Sequence, residues 1–198
     1  MRTFDTATAS YHADRTARDA HVLFWIEAVT RGTGAPAPLG LWSGDDAATF
    51  TIGGVSRAYA GAGQVLAIDP IVSEEGLTVR TLTVRIAAMG ADVAQLLRGY
   101  DARAAPVEIH EAMFDPLTGA LIAEPLRIYR GTVQRAPIPT SAPGGVSIAE
   151  LHLASAALDL TRTLPSKKSN AAQSARSGDT FRAYAHVSAA VNVPWGKD

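Results

Sequence analysis

The 198-residue chain has no cysteine. That excludes disulfides, thiolate nucleophiles and any zinc or iron–sulfur site built on thiolates. Its stability must come from packing and assembly. An excess of one charge is also missing: 18 Lys and Arg stand against 19 Asp and Glu, a formal net charge of −1. No overall basic field therefore draws in nucleic acid or an anionic membrane. Aromatic residues are only 7% of the chain, and Trp25, Trp42 and Trp195 are dispersed rather than gathered on one expected face, so a sugar-stacking platform has no support. No apolar run approaches the roughly 18 to 20 residues of a membrane span, and the N-terminus lacks the unbroken apolar stretch of a signal peptide. Synthesis and folding in the cytoplasm is the expectation.

The motifs of catalysis are missing as well. His12, His21, His110, His152 and His186 form neither an HExxH pattern nor an i, i+4 pair, so no metal site is expected. There is no Gly-x-Ser-x-Gly elbow for a nucleophilic serine. Gly61 and Gly63 flank Ala62 just after Tyr59, but no helix signal follows, so the cluster reads as a turn or bulge that only a residue without a Cβ fits, not as a phosphate cradle. Asp45–Asp46 and Glu74–Glu75 fall in expected turns and read as solvated acids, although the spatial separation of a glycosidase pair is invisible to sequence spacing. The chain is expected to be no enzyme and to carry no cofactor.

What is present is the pattern of a β protein. From Ala105 to Val133, Val107 and Ile109 and then Leu126 and Ile128 alternate with polar residues on either side of Asp115-Pro116-Leu117-Thr118-Gly119, the signature of a hairpin. His21 to Ile26 is apolar on both faces and reads as a central strand covered on two sides. A loop rich in Gly, Ala and Pro runs from Arg31 to Pro38, and short segments around Leu39–Trp42, Thr49–Ile52 and Tyr59 follow at meander spacing. The apolar parity switches from Leu77 and Val79 to Leu82, Val84 and Ile86, and again from Val146 and Ile148 to Leu151 and Leu153. Bulges, or strands that change sheet face, explain such switches. Leu158 and Leu160 close a strand in this reading.

Two helices are expected. Phe4, Thr8, Tyr11 and Arg15 lie on one side of a helical period near the N-terminus, and Val93, Leu96, Leu97 and Tyr100 do so between Ala91 and Tyr100, where a short helix would plug one end of a barrel. Three parts result: a helical segment over 1–18, a β-barrel or sandwich over 19–164, and an extended arm over 165–198. The arm, from Pro165 to Asp179, is small, polar and locally basic, and too poor in apolar residues to order itself. Arg162, Lys167, Lys168 and Arg176 are its candidate contacts to an acidic neighbour, and Phe181, Tyr184, Val187 and Trp195 would dock the tail back.

The order of these elements resembles a family. The strand with Trp25, the Leu41-Trp42-Ser43-Gly44 turn, Tyr59-Ala60-Gly61, the Val79–Ile86 strand followed by Leu96-Leu97-Arg98-Gly99-Tyr100-Asp101, then Ala105–Ile109, Tyr129-Arg130-Gly131 and Ser177–Phe181 together resemble the tail-tip (baseplate) hub or minor tail proteins of siphoviruses and gene transfer agents. The resemblance spans roughly residues 20 to 182 and rests on structural turns. It implies a mainly β, antiparallel barrel or sandwich of tail-hub type. It also implies a homo-oligomeric ring, threefold or sixfold, that contacts the tube or distal tail ring and the fibre or tip proteins, with DNA passing through without specific binding. Many such relatives end in a cysteine-bearing segment that holds an iron–sulfur cluster. Here the matching region, Ser169 to Asp179, has no cysteine, so that cofactor is expected to be absent. The competing expectation is a carbohydrate- or ligand-binding β-sandwich at a cell surface.

Overall fold

In the structure, a computed structural model, the described residues are 4–14, 17–61, 67–72, 78–87, 95–96, 98–137, 148–161, 169–184 and 196. The fold is mainly β. Ten strands form one sheet: β1 (Asp19–Thr30), β2 (Pro36–Trp42), β3 (Ala48–Ile52), β4 (Val55–Gly61), β5 (Ala67–Ile68), β6 (Thr81–Ala87), β7 (Tyr100–Asp101), β8 (Pro106–Phe114), β9 (Leu126–Arg135) and β10 (Ile148–Ser155). Its path is β3-β4-β2-β1-β8-β9-β10-β6-β5, with β7 also on β1. Every pairing is antiparallel except β2 with β4. No pair among the described residues joins β3 to β5, so the path stays open.

The chain divides into two compact units, 1–160 and 161–198. In the first, β1 sits inside the sheet and is covered on both faces, as its unbroken apolar run predicts. Phe24 and Ile26 enter a main core with Val107 and Ile109 of β8, Val133 of β9, Leu151 and Leu153 of β10 and Val84 and Ile86 of β6. Strands from distant points of the path meet in this cluster, so the sheet must curl around it. Leu23, one residue away on β1, enters a second core with Phe50, Ile52, Tyr59 and Ala112. Each fully buried Leu or Ile in these clusters contributes about 1.5 to 3 kcal/mol of transfer free energy.

Aromatic side chains concentrate in that second core. Trp25 and Trp42 both pack against it, which corrects the expectation that they are dispersed; Trp195 lies outside the described residues. Ring centroids are 5.4 Å apart for Trp42 and Phe50, 5.6 Å for Phe50 and Tyr59 and 5.5 Å for Trp25 and Tyr59. Such spacings suit tilted and edge-on aromatic packing. The β3–β4 hairpin supplies Phe50 and Tyr59, and it covers the face of β1 that the main core does not use.

Several boundaries differ from the sequence reading. β2 begins at Pro36, inside the expected loop. Pro36 and Pro38 pair with Val29 and Glu27 of β1, while β4 reaches β2 only at Leu41 and Trp42. Prolines are tolerated there because the far edge of that stretch needs no N–H donors. Gly61 ends β4 rather than a turn. A Cβ at that position would lie 2.1 Å from the backbone oxygen of Asp45, so its lack of a side chain is what lets the bend after β2 approach. The bulges are in β9, not in β6 or β10: Ile128 is the extra residue against β8, and Gln134 against β10. β6 has a single parity from Leu82 to Ile86, and β10 buries Ala149, Leu151 and Leu153 while Ile148 stays exposed. Leu158 and Leu160 lie in a helical turn, α2 (Leu158–Thr161), not in a strand.

Helix α1 (Thr6–Ala13) starts at Asp5, whose carboxylate accepts the Thr8 backbone N–H at 3.0 Å. The Tyr11 hydroxyl accepts the Asp19 N–H at 3.0 Å and donates to the Phe114 carbonyl at 3.3 Å, tying the helix to the paired ends of β1 and β8. Residues 95, 96 and 98 are helical and Leu96 is fully buried in the main core. The rest of the expected helix, 91–94 and Leu97, lies outside the described residues, as do Ala62, Gly63, Glu74 and Glu75.

Candidate functional site

The arm is the site that the sequence singled out. Arg162, Lys167 and Lys168 lie outside the described residues. Arg176 is exposed and follows a short helix, α3 (Asn170–Ser174), whose start is capped by Ser169 accepting the Ala172 N–H at 3.2 Å. Asp179 then accepts the Phe181 N–H at 2.9 Å and the Gln173 side-chain amide at 2.7 Å. Those bonds, the backbone one first, hold its carboxyl below the usual range. The turn so formed leaves Phe181 84% and Tyr184 79% exposed. Large aromatics this bare are uncommon on a unit with no role in contact.

A second cluster escaped the sequence reading. Glu108 on β8 accepts from Arg57 Nη1 at 2.8 Å and from Arg127 Nη1 at 3.0 Å. The Arg57 guanidinium also lies 5.0 Å from the centroid of the Trp25 ring, within cation–π range. Arg57 comes from the hairpin that closes over the second core, and Arg127 comes from β9. The extra residue Ile128 resets the β9 register so that Arg127 pairs with His110, two positions from Glu108 on the same face. Burial would raise the Glu108 carboxyl, but the hydrogen bonds from Arg57 and Arg127 outweigh it and hold the group below its ordinary value.

His110 is 1% exposed, with Nε2 4.0 Å from Glu108. Burial depresses it to about 4; the Glu108 charge opposes that shift, and the charges of Arg57 and Arg127 reinforce it. Its Nδ1 and the Trp25 indole N–H have no hydrogen-bond partner among the described residues. Chemically this is a clamp. A carboxylate saturated by two guanidinium groups is a poor base, and a buried neutral imidazole beside it is screened from substrate. Arg57 and Glu108 are 51 residues apart, so no local spacing could have linked them. The one available signal was the polar pair Glu108 and His110 at alternate positions of a strand whose other residues, Glu111 apart, are apolar.

The remaining histidines do not converge. His21 Nδ1 lies 3.0 Å from Ser43 Oγ and its Nε2 3.2 Å from Asp19, His152 is 3.9 Å from Glu150, and the His12 ring packs 5.3 Å from Phe4; His186 lies outside the described residues. No three His, Asp or Glu side chains among the described residues are placed to hold a metal. Asp45 and Asp46 are exposed in the bend after β2.

Among the described residues of the first unit, two grooves stand out. One, about 690 Å³, lies where β7 and β9 end, and its lining includes Arg31, Arg103 and Arg135 over Leu96, Ala102 and Val133. The other, about 460 Å³, is lined by Ile71, Val72, Arg80, Tyr129, Arg130 and Ser155 among others. The Tyr129 hydroxyl has no hydrogen-bond partner among the described residues, and burial pushes it up to about 12. Among known proteins, no family model matches the chain and no curated protein matches its sequence. No helix of the described residues is long and apolar enough to cross a membrane.

Proposed function

We propose that the protein is a structural subunit of a phage-like tail tip, one copy in a baseplate or hub ring that joins the tail tube to host-contacting proteins. The observation that carries this reading is the arm: a capped, ordered turn that exposes Phe181 and Tyr184 beside a basic segment. Apolar side chains held rigidly in water are costly for a free monomer and useful for a subunit with fixed neighbours. The open sheet path supports the same reading, because its end strands offer edges that another chain can extend. The polar cluster fits as a strut that locks the β3–β4 hairpin down instead of as an active centre.

Deleting the gene should give unfinished or non-infectious tails, and limited proteolysis should cut residues 165–178 in the free chain and spare them in particles. Normal particles from the deletion would refute this reading. The second reading is a ligand-binding module, and the groove beside β9 is what favours it: its volume suits a small molecule, and Tyr129 and Arg130 are among the residues that line it.

A further inference from the structure

The strand ends of the first unit carry opposite charge. At one end, Asp19 of β1 pairs with Phe114 of β8, and the Ser43 N–H bonds the Val22 carbonyl at 3.0 Å. The start of β1, the bend after β2 and the turn after β8 therefore lie at the same end of neighbouring strands, and that end carries Asp19, Asp45, Asp46 and Asp115. At that end Leu117, in the turn after β8, is 94% exposed. Its turn is rigid: Asp115 accepts the Leu117 N–H on its carboxylate at 2.9 Å and the Gly119 N–H on its carbonyl at 2.7 Å, while its own N–H bonds the Ala120 carbonyl at 2.9 Å. The tip is thus a preformed apolar knob in an acidic collar.

At the other end lies its complement. The groove of about 690 Å³ has an apolar floor of Leu96, Ala102 and Val133 and an arginine rim. Arg31 Nε donates to the Tyr100 carbonyl at 2.8 Å and holds one wall in place. Arg103 and Arg135 are exposed and have no ion-pair partner among the described residues. The one carboxylate of the lining, Asp101, already accepts the Arg103 backbone N–H at 3.1 Å.

We propose that copies of this chain associate head to tail, the Leu117 turn of one seated in the arginine-rimmed groove of the next, an interface that rests on the tail-ring reading for its biological setting. A copy cannot fill its own groove, because β1 runs 12 residues between the two ends, about 36 Å at strand rise. The knob and groove are different surfaces, so the contact is heterologous and propagates around a ring if the rotation closes. The acidic collar also explains why the knob does not pair with a second knob: like charges would meet.

Sedimentation equilibrium of the full chain tests this. Wild-type protein should associate, and its dissociation constant should rise at least roughly tenfold between about 50 mM and about 500 mM salt. The double variants Arg103→Glu with Arg135→Glu, and Asp45→Arg with Asp46→Arg, should each be monomeric. Mixed together they should assemble, because each reversed end then meets an end of opposite charge. Leu117→Ala should weaken association roughly tenfold while the far-ultraviolet spectrum stays that of the wild type. If a charge-reversed variant loses that spectrum, the Leu117 variant and the salt series decide alone.

A wild-type chain that stays monomeric at low salt, or folded charge-reversed variants that assemble as the wild type does, would overturn the proposal. So would a mixture that stays monomeric. A monomeric chain whose gene deletion still cripples tails removes the interface and leaves the tail reading standing. Head-to-tail assembly with normal deletion particles does the reverse.

Discussion

His110 should make this protein lose stability in mild acid. The imidazole is 1% exposed, and its proton affinity falls from the ordinary 6.5 to about 4. The folded-state value is depressed, so between these limits the unfolded chain binds a proton that the folded chain does not. Stability from His110 is complete above about pH 6.5 and is lost as the pH falls toward 4. At about 1.4 kcal/mol per tenfold change in proton affinity, the loss from pH 7 is about 2 kcal/mol at pH 5 and about 3 kcal/mol at pH 4. With a urea slope near 2 kcal/mol per molar, the midpoint should fall by about 1 M between pH 7 and pH 5. His110→Leu removes the titrating group and the unpartnered Nδ1 together. It should be at least as stable as the wild type at pH 7, and its midpoint should stay flat across that window apart from changes common to both proteins. Parallel pH curves for the two proteins would refute the argument. Between pH 7 and pH 5 the nearby carboxylate does not confuse the reading, because Glu108 is held below its ordinary value and its own contribution begins to be lost only as the pH falls through that ordinary value.

Glu108→Ala should cost about 2 to 4 kcal/mol in urea denaturation, because Arg57, whose side chain is 16% exposed, loses its counter-charge, whereas Arg127→Ala, at 52% exposure, should cost less than about 1 kcal/mol. Equal losses would show that the carboxylate is not the centre of the clamp. Gly131→Ala should cost at least about 3 kcal/mol or prevent folding, since its Cβ would lie 2.1 Å from the Ala154 carbonyl oxygen, while Gly119→Ala, with nothing within 4 Å, should lose only the roughly 1 to 2 kcal/mol of its left-handed backbone; thermal melting of the two variants compares them directly.

The parts of this fold that were legible in the sequence are those whose signals are local. The run from His21 to Ile26 announced a strand covered on both sides, and the Asp115–Gly119 turn between alternating segments announced the β8–β9 hairpin. Periodicity was less reliable where two cores share strands. The bulges at Ile128 and Gln134 went unseen because an extra residue is defined by its register against β8 or β10 and not by the apolar pattern of β9 itself, and the switches that did show, near Val79 and Ile148, lie at strand ends. Pro36 and Pro38 read as loop because nothing local says that β4 leaves their edge open. The two tryptophans, Trp25 and Trp42, are 17 positions apart in number and neighbours only through the β1–β2 register, in which Trp42 faces Leu23. The clamp was least legible of all, since Arg57 meets Glu108 only after the hairpin has folded across β1. Of the arm, composition predicted exposure and basicity but not the Asp179-capped turn that presents Phe181.

Leu23 and Phe24 are adjacent in sequence, yet each belongs to a different core. Neither core can therefore open by itself, because releasing either one frees the backbone that anchors the other. In native-state hydrogen exchange, the amides of β1 should report a single slow class governed by global unfolding, with the hairpin above and the curled sheet below behaving as one exchange unit. The shared strand makes failure all-or-none and removes the partly opened states from which aggregation starts.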